Sequence, residues 1–582
     1  MVNERAVPTP APTDKPTFTI MVEDEELPRQ YHIISIVVTK MVNKITRARI
    51  ILLDGDPAGE DFKASNTDLF VPGRKVEIMA GYHSNESLIF SGIIVRHGIR
   101  IRQDKASTLT IECKHKAVKM SLGPKNTCYH DVTDSDVFDT IVGNYEIDGE
   151  IETTGVNHKE LVQYYCTDWD FITSRAEVNG MLVYADDKKV EIKRPDFSEE
   201  ADISLLYGAT ILELDAEMDA GSQVREVEGR TWDMANQDVI STEGEEPDVT
   251  EQGNVDSRTL AEAIGADSRK LQQAGQISEE ELQAWTSAAL LRSRMSKIQG
   301  RVKFTGHAAI KPGSFLGLAG LGERFNGKAF VSGIRHEIGD GSWTTEAQLG
   351  LSQEWFIERN RVNSLPASGL LPAVNGLQMG IVTQLQDDPD GEDRVLVKLP
   401  LVDSNDDGLW SRVATLDAGD NRGSFFRPEI GDEVVLGFLN DDPRNPVILG
   451  MFNSSAKPAP LTASDENNEK GFVSRSGIKL IFNDEKESIR IETPAGKTLT
   501  MDDNAGSVVI EDENSNKIEM GPEGITVVSN GDIAIKAGGN IDIEGTNSTV
   551  KASALLKAEG ASGAELSTSA TAVVKGAIVQ IN

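Results

Sequence analysis

The sequence predicts a mainly β protein: a small β-barrel, a helical insert, two further sets of short strands, and a repetitive carboxy-terminal stretch built by several copies together. Three observations carry that prediction. Short alternating apolar runs begin near Phe18 and resume after Gly300, and five strand-length runs divided by turn residues fill Leu371 to Asn453. From about Gly524 onward, apolar residues return every eighth position. Alternation puts side chains on one face of a strand, and a fixed period is the mark of stacked units.

With 582 residues there is room for three or four domains. A hydrophobic fraction of 39% supports ordinary cores, and the low aromatic fraction of 5% reflects a carboxy-terminal region without aromatics after Phe482. Net charge is −35, which argues against nucleic acid and against passive adsorption to anionic lipid, since both need clustered Lys and Arg. Cys113, Cys128 and Cys166 make an odd count with no disulfide framework, as suits a reducing compartment. The amino terminus lacks a signal-type apolar core and no run of about 18 apolar residues occurs. Synthesis in the cytoplasm, with export by a machine, is the expectation.

In chain order, residues 1–17 are rich in Pro, Thr and Ala and read as a flexible lead. Residues 18–370 form the first large region. Ile33-Ile-Ser-Ile-Val-Val and Ser87-Leu-Ile-Phe-Ser-Gly-Ile-Ile-Val alternate as strands of a small barrel up to about Cys113. Asp131-Val-Thr-Asp-Ser-Asp then caps a short helix with Val137, Ile141 and Val142 inward. A strand from Leu161 meets a second capped helix with Phe171, Ile172 and Val178 inward, which Gly180 stops. After an acidic loop, Ser241 to Asp256, the run Ser278-Glu-Glu-Glu predicts a capping box. It opens a helix to about Ile298 with Leu282, Trp285, Ala289 and Leu290 on one face, and strands resume from Gly300 to Leu349.

Residues 371–453 carry Gly380-Ile-Val-Thr, Arg394-Val-Leu-Val-Lys-Leu-Pro, Leu409-Trp-Ser-Arg-Val-Ala, Pro428-Glu-Ile-Gly-Asp-Glu-Val-Val-Leu-Gly-Phe-Leu and Asp442-Pro-Arg-Asn-Pro-Val-Ile-Leu-Gly. Residues 454–470 are a polar linker. Residues 471–582 lead from Arg475-Ser-Gly-Ile-Lys-Leu-Ile-Phe and Leu499-Thr-Met-Asp-Asp into the octads. Ile525, Ile533 and Ile541 form one register, and Val527, Ile535 and Ile543 another. After a slip, Val550, Ala558, Leu566 and Val574 continue it, with turns at Asn530-Gly531, Gly538-Gly539 and Gly545. Each octad reads as one strand and a turn, too thin to bury a core without neighbouring strands from identical chains.

Gln163, Tyr164, Asp168, Phe171, Glu177 and Gly180 match a run found in the hub of VgrG-type spike proteins of contractile injection systems, which this chain therefore resembles. It departs from that run at Cys166, Thr167 and Ser174, with the expected Arg one position late as Arg175. Gly306 to His336 resembles the hub proteins of contractile phage tails. The five strands of 371–453 resemble the OB-fold that joins hub to needle in these spikes, with Asp441 in place of a usual Gly. The resemblance implies a hub of two β-barrels with a helical insert, an OB-fold domain and a trimeric β-helix or β-prism needle. It also implies a homotrimer that presents a roughly sixfold ring to a hexameric inner tube and baseplate proteins, punctures a target membrane it touches only transiently, and carries effectors.

No catalytic arrangement is read in the sequence. Roughly seventeen linker residues cannot hold the lysozyme domain that some phage spikes carry between OB-fold and needle, so a peptidoglycan-hydrolase spike is the lesser reading. A glycan-binding trimeric fibre is another, and it calls for aromatic platforms that the last region lacks. Cys113-Lys-His115 and Cys128-Tyr-His130 could meet around zinc, but structural zinc sites use longer spacings, and buried thiols with surface histidines are preferred. Asp403-Ser-Asn-Asp-Asp-Gly408 copies half of a calcium loop but has Ala414 where a bidentate Glu belongs, which favours a turn. No cofactor is expected. All eight histidines lie at or before His336, so the needle lacks the His-x-His metal tip of some phage needles. Its end, at Val579, Ile581 and Asn582, is expected to meet a separate conical tip protein of the PAAR type.

Overall fold

A computed structural model describes residues 15–581. The chain divides into two compact units, Met1–Asn375 with Phe438–Asn445, and Gly376–Gly437 with Pro446–Asn582. The predicted lead lies outside the described residues up to position 14, and the first strand starts inside it, at Pro16.

Within the first unit, strands β1 (Pro16–Val22), β2 (Ile33–Met41), β3 (Lys44–Leu53), β4 (Lys75–Tyr82), β5 (Asn85–Arg102) and β6 (Lys105–Lys114) make lobe 1. In β2 the alternation sends Ile36, Val38 and Lys40 inward. Ile36 joins Ile50, Leu52, Phe70, Ile78, Phe90, Leu109 and Ile111 in one core. Burying each such side chain stabilises by about 1.5–3 kcal/mol.

An α/β insert follows: β7 (Lys125–Thr133), α1 (Asp134–Gly143), β8 (Asp148–Ile151), β9 (Asn157–Cys166), α2 (Asp168–Val178), β10 (Leu182–Asp186) and β11 (Lys189–Lys193). Thr133 and Asp136 close a capping box on α1, and Thr167, standing where the spike run has Ser, still accepts from the Asp170 N–H at 3.1 Å to cap α2. Gly180, at φ +69°, ends that helix in the left-handed region, its N–H donating to the Glu177 carbonyl. Phe171 and Ile172 are buried as the spacing requires, whereas Val178 is only half-buried and Ala176 takes the inward place.

Lobe 2 contains β12 (Ile203–Leu206), β13 (Ile211–Met218), the hairpin β14 (Glu226–Asp233) and β15 (Asp238–Glu243), and α3 (Ser257–Ile264). It continues with β16 (Ser268–Gln273), α4 (Glu279–Met295), β17 (Ile298–Thr305), β18 (Phe315–Ala319), β19 (Gly327–Gly339) and β20 (Ser342–Leu349). Helix α4 ends three residues before the predicted Ile298, which instead opens β17. Ser278 caps α4 through the Glu281 N–H, but the Glu281 carboxylate does not complete a box: it pairs with Arg175 at 2.9 Å. Lobe 2 packs its own core of Leu205, Val302, Phe304, Leu316, Ile334 and Ala347.

The two lobes are one sheet. Its spine runs β13–β17–β20–β19–β2–β3–β6–β5–β4–β1, with β19 antiparallel to β2 from Gly333↔Met41 to Gly339↔Ser35. Each lobe curls about its own core while backbone hydrogen bonds cross between them.

In the second unit, β21 (Gln378–Gln384), β22 (Val395–Lys398), β23 (Leu409–Val413), β24 (Glu433–Phe438) and β25 (Pro446–Met451) close a barrel in the order β21–β22–β23–β25–β24. Val382, Val395, Val397, Val434, Leu436 and Ile448 fill it.

Candidate functional site

Beyond the closed barrel the chain makes an antiparallel meander of seven five-residue strands. These are β26 (Glu469–Val473), β27 (Lys479–Asn483), β28 (Ser488–Glu492), β29 (Thr498–Asp502), β30 (Ser507–Glu511), β31 (Lys517–Gly521) and β32 (Gly524–Val528). Each pairs only with its neighbours in sequence, so the stretch that leads into the octads is a ladder of hairpins.

From Ser529 the path changes. Two-residue bends fall at 530–531, 538–539, 546–547, 553–554, 561–562, 569–570 and 577–578. The step is eight residues except for one of seven between the third and fourth bends, where the sequence showed its slip. Among the described residues no strand follows Val528: the segments between the bends pair with no other strand there. Their apolar side chains are bare: Ile533 is 57% exposed, Ile543 80% and Leu566 85%. Segments without a partner strand among the described residues and with exposed isoleucines are what strands awaiting other strands would show. Of the predicted tip residues, Val579 is half-exposed and Ile581 is 91% exposed, while Asn582 lies outside the described residues.

The loop before β24 holds the start of the meander. Phe426 stacks on Phe472 with ring centroids 5.1 Å apart, Arg475 pairs with Glu429 at 2.7 Å, and Lys457 pairs with Asp432 at 3.1 Å. Phe425 beside it is 84% exposed, an aromatic that the emphasis on the acidic loops passed over. Those loops are self-contained. Asp388 accepts from Arg394 and from three backbone N–H groups, which hold its carboxyl well below the usual range. Asp403 to Gly408 is a turn between β22 and β23, with Asp403 accepting from the Asn405 N–H.

The two Cys-x-His pairs sit on separate elements. Cys113 is buried in lobe 1, where burial pushes its thiol up to about 12, and His115 accepts from the Ala117 N–H at 3.1 Å. Cys128 and His130 lie exposed on β7. Among the described residues no group of three or more His, Cys, Asp and Glu is arranged to hold a metal ion.

The first unit carries ionic clusters that sequence reasoning missed, since Lys, Arg and Asp in alternating patterns read as surface. Lys40 of β2, almost fully buried, pairs with Asp186 at the end of β10, and Lys311 bridges Asp186 and Asp187. Asp134 binds Arg175, His158 and Asn179. Burial acts to raise the Asp134 carboxyl, but hydrogen bonds from His158 and Arg175 outweigh it and hold it well below the usual range. Glu177, a residue of the hub run, accepts from Asn43 at 2.7 Å and the Phe356 N–H at 2.6 Å, and pairs with Arg292 at 2.8 Å. Together these tie lobe 1, the insert and α4.

Residues 12–340 match the family described as the Alg8 N-terminal domain, and residues 378–452 match the type VI secretion system/phage-baseplate injector OB domain. Over 136 residues the chain is 31% identical to the type VI secretion system spike protein VgrG1b of Pseudomonas aeruginosa, covering 22% of this chain and 18% of that protein. Over 139 residues it is 32% identical to spike protein VgrG3 of Vibrio cholerae, covering 23% of this chain and 13% of that one. The aligned stretch thus spans less than a fifth of these relatives. Among solved structures, the 43 kDa tail protein of prophage MuSo2 from Shewanella oneidensis aligns at 11% identity with a TM-score of 0.44, over 58% of this chain and 99% of that one.

Proposed function

The chain belongs to the family of the Alg8 N-terminal domain and to the VgrG-type spike proteins, and from that premise we propose that it is the central spike of a contractile injection system. It works as a homotrimer and its role is mechanical. Sheath contraction drives an inner tube forward, the hub receives the force through its ring of lobes, and the needle concentrates it on a small area of target membrane. The spike is made in the cytoplasm and leaves it with the assembled particle.

The observation that carries this reading is the path after Val528: bends at a step of eight, segments without a partner strand among the described residues, and bare apolar side chains. A single chain gains nothing from that conformation. Three chains wound together pair every backbone group and cover the isoleucines, and such intertwining makes unfolding slow as well as unfavourable. The continuous sheet and buried ion pairs of the first unit suit a body that must pass force without splaying. The exposed Val579 and Ile581 of the three copies then offer apolar area to a conical tip protein.

Light scattering coupled to size-exclusion chromatography tests the reading. A trimer that survives SDS without heating is expected. A monomer in dilute solution whose last sixty or so residues resist protease would overturn it. Co-purification with a PAAR-type protein expressed alongside tests the tip contact, and failure of the assembled trimer to retain it removes that part alone.

A further inference from the structure

Between the bends from Ser529 to Ile581 each segment repeats one plan. Counted back from a bend, the fifth and third residues are an apolar pair, such as Ile541 and Ile543 or Leu556 and Ala558. The second residue back faces the other way. Along the needle that position reads Lys536, Glu544, Lys551, Glu559, Ser567 and Lys575, all exposed. From Lys536 to Glu559 the sign alternates at every segment. The alternation also follows the seven-residue step: eight residues after Glu544 stands Ala552, but counted from the bend at 553–554 the place falls on Lys551. The charges keep step with the bends and not with the residue count.

This column is not satisfied within one copy. Among the described residues Lys536, Glu544 and Lys551 form no ion pair, and Glu559 pairs with Lys557 of its own segment. Successive segments of one chain pair with no strand there either, so they do not stack on each other. In a threefold assembly, equal segments of the three copies lie at one height on three sides, and each bend carries a chain to the next side. The strand above any segment then belongs to another copy and is one segment further along its chain. Stacked strands lie about 4.8 Å apart. The column therefore brings Lys536 against Glu544, Glu544 against Lys551 and Lys551 against Glu559, each time between copies.

Resting on the trimer reading, we propose that this column of alternating charge is the surface by which each copy of the needle recognises the next, and that it sets which segment meets which. The apolar pairs do not fix this alone, because neighbouring segments bury side chains of like kind and a slide of one whole segment exchanges Ile for Ile. The charges discriminate. A slide of one segment sets Lys536 against Lys551 and Glu544 against Glu559, and like charges directly opposite destabilise paired strands. The column four residues before each bend does not choose: it offers Lys557 to Glu565 in the true register and Asp542 to Lys557 in the slid one.

The test uses the full-length protein, co-expressed as two differently tagged copies and first verified as a trimer by light scattering. Two wild-type copies are expected to mix freely. A chain with the column inverted, Lys536→Glu with Glu544→Lys, Lys551→Glu and Glu559→Lys, is expected to form an SDS-resistant trimer of its own and to be depleted about tenfold from mixed trimers with wild type. Carbodiimide cross-linking of the wild-type trimer reads the register without any substitution: after boiling in SDS, the covalent dimers are expected to carry Lys551 joined to Glu544 and to Glu559. Free mixing of inverted and wild-type chains, or a verified trimer whose covalent dimers join Lys551 to neither glutamate, overturns the proposal and leaves the trimer standing. A monomeric wild type overturns the trimer reading and this proposal with it.

Discussion

Arg175 grips Asp134 through two hydrogen bonds, Nε to Oδ1 at 2.7 Å and Nη2 to Oδ2 at 2.9 Å, while its Nη1 reaches Glu281 of α4 at 2.9 Å. One guanidinium therefore ties α1, α2 and α4. In the spike run the Arg stands one place earlier; here Ser174 fills that place and donates to the Asp170 carbonyl at 2.7 Å. One position on a helix is a turn of about 100°, enough to aim position 175 at Asp134. Asp134 is 1% exposed, so removing its partner strands a buried charge. Arg175→Met is expected to lower hub stability by about 3 kcal/mol, and Asp134→Leu added to it should recover part of the loss. Thermal melting of the hub transition measures both, and equal melting of all three proteins would refute the pairing.

Two buried histidines set a pH dependence. Burial pushes His336 down to about 3 and His115 down to about 4. Lys40 and Asp186 face both rings, with His307 also near His336, and Asp187 and Lys116 near His115. In the unfolded chain a histidine titrates near about 6.5. Between that value and the folded one the unfolded state binds more protons, so stability falls as pH drops from about 6.5 toward 4. The depressed Asp134 adds a loss at still lower pH, as pH falls from the ordinary carboxylate range through its folded value. Denaturation midpoints are expected to slope downward below pH 6.5, and His336→Gln, which keeps a polar partner for Thr345, should flatten the slope. A midpoint constant from pH 7 to 4.5 would contradict this.

What could be read from residues alone was local. Turn residues spaced by eight mark their own bends, so the path from Ser529 to Ile581 follows from the sequence down to the short step before Ser553. Caps at Thr133, Thr167 and Ser278 are legible for the same reason. Non-local pairing was not. Nothing near Gly333 says that it lies beside Met41, and the fusion of two lobes into one sheet depends on that register. Lys40 looks like a surface lysine until β10 brings Asp186 to it. Glu281 has capping-box spacing, yet a stronger partner, Arg175, takes its carboxylate.

The Phe426 and Phe472 rings lie nearly parallel, 11° apart, and join the loop before β24 to the first strand of the meander. Both are about half exposed, so the stack is worth about 0.5–1.5 kcal/mol. Phe472→Ala is expected to leave the barrel folded and to speed proteolysis between Ser454 and Lys470, with Phe426→Ala giving the same pattern. Unchanged cleavage in both variants would mean that the Arg475–Glu429 pair alone secures the base.

The octads give the sharpest contrast between faces. Ile541 and Ile543 share a side of one extended segment, and Asp542 points away between them. If three copies wind together with the isoleucines inward, Ile541→Asp brings three carboxylates to one level of a closed core. Each exchange also forfeits about 1.5–3 kcal/mol of burial, three times over, and desolvated like charges add to the cost. Asp542→Asn changes only a solvated position. SDS-resistant trimer should be lost with the first variant and kept with the second. Equal resistance would place the isoleucines outside the core and would require another packing for residues 529–581.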